Sequence, residues 1–209
     1  MTETRAEQKE RTRRAILDAA LALTAESSLS GLSLRGVAKQ VGVVPTAFYR
    51  HFDSIDALGL ALVDEAFVSL RAMLRAVRQP EAADSLLAIA DASVSVLVQH
   101  VRAERAHFAF LARERAAGPT PVREAIRREI ELCEHELATD LARLPGARAW
   151  SAADLRTVSG LLVTLMVDAA DELVSARPEH EAAVAQTTRT RLRMVLIGAL
   201  HWRSSPFGG

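Results

Sequence analysis

Apolar residues recur at helical spacing through most of the 209-residue chain. Between Ile16 and Leu23 they follow the i, i+3, i+4, i+7 pattern of an amphipathic helix, and no stretch alternates with the period of a strand. The pattern predicts an all-α fold, and Pro and Gly residues mark most helix ends. The nine predicted helices cover about residues 9–28, 34–41, 45–52, 54–79, 82–101, 104–117, 121–144, 152–176 and 179–202.

Composition agrees with a helical protein, because 49% of the residues are hydrophobic but only 4% are aromatic. The single cysteine, Cys133, excludes an internal disulfide, and the N-terminus lacks the charged and apolar regions of a signal peptide. The longest apolar run, 158–167, is about half the ~20 residues of a membrane span. We therefore expect a cytoplasmic protein that does not enter the membrane.

Two short predicted helices lie between residues 32 and 52, with the sequence LSLRGVAKQVGVVPTAFYRHF. Ser33 can cap the first helix, Gly42 can supply the positive φ that ends it, and Pro45 is allowed only in the first turn of the second. This order is typical of a helix-turn-helix, whose second helix enters the major groove of DNA. The segment is interpreted as a DNA reader.

Charge is distributed unevenly along the chain. The whole chain is neutral, with 26 basic and 26 acidic residues. Residues 1–52 hold eight Lys or Arg against five Asp or Glu, an excess of three positive charges. A neutral chain argues against nucleic-acid binding over the whole surface, so the basic excess indicates a local DNA-binding surface.

The predicted helix that follows Phe52 sets the domain organisation. It is capped by Asp53 or Ser54, ends near Pro80, and at about 25 residues is long for a globular helix. Such a helix spans about 37 Å and can join two bodies rigidly. We predict a DNA-binding domain over residues 1–55 and a helical effector-binding and dimerisation domain over residues 56–209.

The last two predicted helices are apolar on more than one side. Leu162 and Leu165 lie in one stripe that Leu161 widens, and residues 192–200 repeat this feature. A helix with a broad apolar surface is either central or part of an interface. Because helix-turn-helix proteins commonly read two half-sites as two-fold dimers, we predict a homodimer through these helices. The alternative is a monomer with a deep core.

The segment LSLRGVA, then GVVPTAFYRHF, then Asp53, Ser54 and Leu58, resembles the N-terminal domain of the TetR family of bacterial repressors. The resemblance covers about residues 10–58, and it implies a nine-helix repressor that binds an operator as a dimer. Gly36 departs from the pattern, because the family usually has an acidic residue there that completes a capping box. This departure affects the first helix of the motif only.

The start of the second helix in such a motif carries the side chains that meet base edges. Thr46 can offer a hydroxyl or a methyl group, and Ala47 a methyl group, to a base. Resemblance to the family implies that Tyr49 and His51 contact phosphates, with Ser33 and Arg35 on the backbone of the opposite strand. Two further arginines are candidates: Arg50, which can equally face water, and Arg14, which can equally pair with Glu10.

A narrower resemblance joins RAEQKERTRRAILDAA, LGLALVDE, FLARERAAG, VREAIRREI and RLRMVLIGALHW to repressors of unsaturated fatty acid synthesis and acyl-chain desaturation, of the FabR and DesT kind. It implies a hydrophobic effector, with long-chain acyl-CoA as the candidate. The apolar residues that could line its site are Leu86, Phe108, Leu111, Leu162 and Met166. Arg113 and Arg115 could bind its phosphates. The alternatives are ordinary core residues and exposed helix arginines.

Catalytic and metal-binding motifs are not found in the sequence. It has no G-x-S-x-G, no P-loop and no G-x-G-x-x-G, so no enzyme and no cofactor are expected. His100 and His107 have Glu104 between them but no third committed ligand, so a metal site is not expected.

Two other functions stay open: a TetR-type repressor of an efflux or catabolic operon that senses another hydrophobic molecule, and a lipid-binding or carrier module with a vestigial helix-turn-helix.

Overall fold

The computed structural model of the chain describes residues 4–25, 27–77, 86–144, 147 and 150–203, without the side chains at 72, 73 and 75–77. Within these ranges all regular structure is helical, which confirms the predicted all-α fold and its nine α-helices. Two short 3₁₀ turns are also present, at Leu29–Gly31 and Pro178–His180. The helices are α1 (Arg5–Thr24), α2 (Leu34–Val41), α3 (Pro45–Phe48), α4 (Ile55–Val77), α5 (Leu86–Ala103), α6 (Arg105–Ala117), α7 (Thr120–Ala142), α8 (Ala152–Ser175) and α9 (Glu181–His201).

Two helices begin with reciprocal capping boxes. At α8 the box of Ser151 and Asp154 is confirmed. At α1 the Thr4 side chain accepts from the Glu7 N–H, and the Glu7 carboxylate accepts from the Thr4 N–H. These hydrogen bonds hold the pKa of Glu7 below its ordinary value. Helix α1 therefore begins at Arg5, earlier than its apolar periodicity predicts, because the polar first turn is stabilised by its cap.

The chain divides into two compact units along lines that differ from the predicted domain boundary. The first unit combines 1–68 with 106–127, and the second combines 69–105 with 128–209. Nearly all of α6 and the start of α7 therefore pack with the N-terminal helices. A functional boundary between residues 55 and 56 stays a prediction, and the predicted end of α4 at Pro80 lies outside the described residues.

Each unit has its own apolar core. In the first unit the largest fully buried apolar side chains come from five helices and a 3₁₀ turn: Ile16, Leu29, Phe48, Leu58, Leu62, Phe110 and Ile126. In the second unit α5, α7, α8 and α9 contribute the buried cluster Ala90, Val94, Leu141, Leu162, Ala185, Leu192 and Leu196. Burial of these apolar side chains stabilises each unit.

Helix α5 is, among the described residues, the one helix long and apolar enough to cross a membrane by length and composition. Its residues Ala90, Val94, Leu97 and Val101 are buried, and it packs against α8 and α9. A core helix passes the same test, so this feature is weak evidence for a membrane span.

Candidate nucleic-acid interface

Helix α2 begins and ends as its sequence predicts. The Ser33 hydroxyl accepts a hydrogen bond from the Gly36 N–H over 3.0 Å. Gly42 has a φ of 75°, and its N–H donates to the carbonyls of Ala38 and Lys39. A side chain at position 42 would be strained in this left-handed conformation, so glycine sets the angle at which the chain leaves α2.

The second helix of the motif is shorter than predicted. Pro45 occupies its first turn, but α3 ends at Phe48 instead of continuing to Phe52. Residues 49–51 continue as hydrogen-bonded turns, since the N–H of Arg50 donates to the Ala47 carbonyl and that of His51 to the Phe48 carbonyl. The backbone therefore stays coiled up to Phe52, although only its first turn is an α-helix.

An aromatic cluster holds this segment against the core. The Phe48 and Phe52 side chains are buried, with ring centroids 5.9 Å apart. The Arg13 guanidinium of α1 lies 4.5 Å from the centroid of the Phe52 ring, which is a cation–π contact. The predicted core role of both phenylalanines is confirmed. Helix α1 thus contacts residues 32–52, the reading segment, directly.

Burial of the two phenylalanines leaves the opposite side of the segment open to solvent. Within residues 32–52, the predicted DNA-binding side chains that are exposed are Ser33, Arg35, Thr46, Tyr49 and Arg50. The Ala47 and His51 side chains are half-buried. The Tyr49 side chain is 54% exposed although its ring makes an edge contact with buried Phe48. An exposed aromatic ring fixed by a buried neighbour is suited to binding another molecule.

His51 has an electropositive environment. Its pKa is lowered from the ordinary histidine value, chiefly by burial and then by the positive charges of Lys9 and Arg13, with Arg50 adding a smaller effect. Glu10 opposes these charges. Among the described residues, the buried His51 Nδ1 has no hydrogen-bond partner. A neutral imidazole has one N–H donor and no charge, so the positive potential near His51 comes from the neighbouring cations.

Arg14 has acidic partners within its own unit. Its Nε lies 3.0 Å from the Asp18 carboxylate, and its Nη1 bonds to the Glu65 carboxylate. The α1 cations whose charges act on His51 are Lys9, which sequence reasoning did not select, and Arg13, which it named beside Arg14 as a candidate phosphate contact. Their spacing of four residues places them on one helix face, and that spacing was the sequence signal that could have identified them.

The residues predicted to bind an effector fall in both compact units. Leu86, Leu162 and Met166 belong to the apolar cluster of the second unit. Phe108, Leu111, Arg113 and Arg115 lie in the first unit, where Phe108 is buried. Arg113 donates to the backbone carbonyls of Thr24, Ala25 and Ser27. Its donors are therefore directed at protein oxygens, an arrangement that sequence spacing did not indicate.

Part of the chain matches the model of a known protein family. Residues 16–62 match the model of the family described as bacterial regulatory proteins, tetR family. The matched segment extends from α1 to the first half of α4. It contains the Ser33 cap, the Gly42 turn and all the aromatic residues of the cluster.

Solved structures of transcriptional regulators have the same fold. SCO4454, a TetR-family regulator of Streptomyces coelicolor, is 21% identical with a TM-score of 0.70, over 92% of this chain and 97% of the other. The fatty acid degradation regulator FadR of Bacillus halodurans is 14% identical (TM-score 0.71; 95% and 98% covered). NalD, the secondary repressor of the MexAB-OprM multidrug efflux pump in Pseudomonas aeruginosa, is 19% identical (TM-score 0.69; 92% and 97% covered). Residues 16–62 thus match the tetR-family model, and they belong to a chain with a TetR-like fold.

Proposed function

We propose that the protein is a DNA-binding transcriptional regulator that acts as a repressor in the cytoplasm. The observation that carries this proposal is the exposed surface formed by Thr46, Tyr49 and Arg50 beside the buried Phe48. Thr46 is at the start of α3, the position from which such motifs contact base edges, and we assign Tyr49 and Arg50 to the phosphate backbone. Lys9 and Arg13 add positive charge near His51.

A mobility-shift or anisotropy titration against the DNA upstream of the protein's own gene tests this function. We expect a sequence-preferring complex that weakens with salt, because each phosphate contact releases counterions. Thr46→Val should change the base preference, whereas Tyr49→Phe should weaken binding to all sequences similarly. Thr139→Val, which alters an exposed threonine of α7, is the matched control.

DNA binding that shows neither salt sensitivity nor sequence preference would disprove the proposed function as a regulator. Acyl-CoA binding that survives replacement of Thr46 and Tyr49 and affects no DNA would instead favour a lipid-binding module with a vestigial motif.

We further propose a homodimer through α8 and α9. Their inner faces are buried at Leu162, Leu192 and Leu196, yet Met194 and Ile197 remain 69% and 47% exposed. Leu161, Leu200 and Trp202 are exposed as well. Large apolar side chains that stay exposed on two packed helices are typical of a subunit interface. Met194→Glu should shift the protein from dimer to monomer in analytical ultracentrifugation, and a wild-type monomer would contradict the interface.

The finer function that we propose is control of fatty acid or lipid metabolism genes, with long-chain acyl-CoA as the effector. The apolar cluster around Leu86, Leu162 and Met166 supports a hydrophobic effector, and FadR of Bacillus halodurans is a fold relative concerned with fatty acids. NalD, a repressor of an efflux pump, is equally a fold relative. An efflux or catabolic operon with another hydrophobic effector is therefore the second candidate.

Native mass spectrometry of the freshly purified protein distinguishes the two candidates. A bound long-chain acyl-CoA supports the lipid role, and a different bound molecule supports the second candidate. The effector must then change DNA affinity, since a ligand shifts an equilibrium only by binding its two states unequally. An acyl-CoA that leaves the operator complex unchanged would contradict the lipid role.

A further inference from the structure

The connection between α1 and α2 follows Thr24 and reaches Leu32, and its described residues make few capping bonds of their own. The last turn of α1 has no basic residue, and Ser28 makes no side-chain capping bond to the following 3₁₀ turn. The final carbonyls of a helix and the first N–H groups of the next lack intrahelical partners. Local bonds serve the carbonyls of Leu21, Ala22 and Leu23. Residues of α6, more than eighty positions away, serve the carbonyls that follow and the Leu29 N–H.

Arg113 binds the C-terminal end of α1. Its Nη2 donates to the Ala25 carbonyl over 2.9 Å, and its Nη1 donates to the carbonyls of Ser27, over 3.0 Å, and Thr24. A guanidinium offers several donors in a fixed plane, so one side chain can satisfy three carbonyls. A cation at a helix C-terminus is also favoured by the helix dipole.

Glu114 binds the start of the 3₁₀ turn. Its side chain is fully buried, and its Oε1 accepts from the Leu29 N–H over 2.9 Å. The charge is again suited to the site, because an anion at the N-terminal end of a helical turn accepts its free N–H groups. Two adjacent residues of α6 thus hold the two ends of the connection, each with the appropriate sign.

Packing fixes the same turn from another direction. The Leu29 side chain is fully buried against Gly59 of α4. A Cβ on Gly59 would lie 2.3 Å from Leu29 Cδ2 and 2.9 Å from Val122 Cγ2. The lack of a side chain at Gly118 likewise leaves room for the Glu114 carboxylate, since a Cβ there would lie 2.7 Å from Glu114 Oε2. The turn cannot shift without moving α4, α6 or α7.

We infer that Arg113 and Glu114 are positioning residues for DNA binding: through the 24–29 connection they hold α2, with its Ser33 cap, in the orientation that the DNA complex requires. Leu29 precedes Ser33 by only four residues, and the Leu29 carbonyl accepts from the Leu32 N–H. Displacing the turn therefore displaces α2. The inference rests on the proposed function, and it assigns to Arg113 a role other than effector binding.

The test compares full-chain Arg113→Met with Arg128→Met, which removes the same charge from an exposed arginine of α7. At a temperature at which circular dichroism shows both variants folded, Arg113→Met should bind the operator about tenfold more weakly, because fewer molecules hold the competent orientation. The slope of log affinity against log salt should stay at the wild-type value, since no phosphate contact is lost. Arg128→Met should bind as the wild type does.

Amide hydrogen exchange of the free protein provides the structural readout. Residues 24–32 should exchange faster in Arg113→Met than in the control. Arg113→Lys, which keeps the charge without the planar fork, should give an intermediate affinity, and it serves as the test variant if Arg113→Met does not fold.

Three outcomes would overturn the inference. If Arg113→Met binds the operator with unchanged affinity but has a lower melting temperature, Arg113 has a purely structural role. A salt slope smaller by about 0.9 would make it a direct phosphate contact. Unchanged exchange of residues 24–32 would remove the link through the connection. If the wild type does not bind the operator, the proposed function is overturned too. If Thr46→Val changes the base preference as expected but Arg113→Met leaves the affinity unchanged, only this inference is overturned.

Discussion

The reading segment and the hairpin of α8 and α9 fix their helix ends in different ways. In the reading segment Ser33, Gly42 and Pro45 lie beside the termini that they define. At the end of α8, by contrast, Arg105 donates to the carbonyls of Val174 and Ala176, about seventy residues away. The first kind of terminus forms wherever its local sequence is placed, whereas the second forms only after the chain has folded.

The hairpin has a second long-range contact beside this one. Glu181, at the start of α9, is 5% exposed and accepts from Arg102 over 2.6 Å and from Arg105 over 3.4 Å. The α8 to α9 turn therefore depends on residues at the junction of α5 and α6. The 24–29 connection in the first unit has the same dependence on α6 through Arg113. Local and long-range caps thus occur within one unit, and their stability should respond differently to substitution.

The largest effect is expected at the core of the reading segment. Phe48→Ala should lower the free energy of unfolding by about 3–5 kcal/mol, because Phe48 is completely buried and its removal leaves a cavity. DNA binding should be lost with it. Urea denaturation measures the loss, and Tyr49→Ala, at an exposed site, is the control. Equal effects of the two variants would contradict the packing of the aromatic cluster.

The next effect concerns the hairpin. Glu181→Ala should reduce the free energy of unfolding by about 1–2 kcal/mol, a value kept small because both arginine partners are about half exposed. Thermal unfolding with and without 1 M NaCl measures it. A salt-independent loss of the same size would show that packing, and not the charge pair, stabilises the turn.

A smaller effect separates a local cap from an ordinary helical glycine. Gly42→Ala should destabilise the protein by about 1 kcal/mol, since alanine is strained at a φ of 75°. Gly160→Ala in α8 should instead stabilise it slightly, because the nearest atom of another helix lies 3.9 Å from the new Cβ. Melting temperatures that change in the same direction would contradict this distinction.

The smallest effect concerns pH. Because the pKa of His51 is lower in the folded chain than in the unfolded one, the unfolded chain binds the proton first as the pH falls. Stability from this group is complete above the ordinary histidine pKa and is lost as the pH falls below it. His51→Gln should flatten the dependence between pH 8 and pH 5. A variant with the wild-type slope would contradict the assignment.

Much of the reading segment could be predicted because its signals are local. The Ser33 cap, the left-handed Gly42 and the Pro45 start act within a few residues, and the structure confirms all three. The length of α3 was predicted less well. Its apolar pattern runs to Phe52, but the N–H groups of Arg50 and His51 donate to carbonyls three residues back, and the α-helix ends at Phe48. Apolar periodicity does not distinguish such turns from an α-helix.

The candidate effector residues show where sequence reasoning ends. Leu162 and Met166 were selected as apolar helix residues, and a sequence cannot tell a core position from a site wall, because both are apolar at the same spacing. Arg113 was selected as a free cation, yet its donors lie against three carbonyls of α1. Spacing within α6 contains no information about which distant helix end needs a donor.

The sequence by itself determined the helical class, most helix termini and the position of the DNA-reading segment, because periodicity and capping act between residues that are close along the chain. Only the tertiary structure decided that residues 106–127 pack with the N-terminal helices, that Lys9 and Arg13 lie near His51, and that Arg113 and Glu114 hold the connection before α2. The hydrogen bonds of Arg113 and Glu114 join residues up to 89 positions apart, and such pairing is fixed by the packing of side chains in three dimensions.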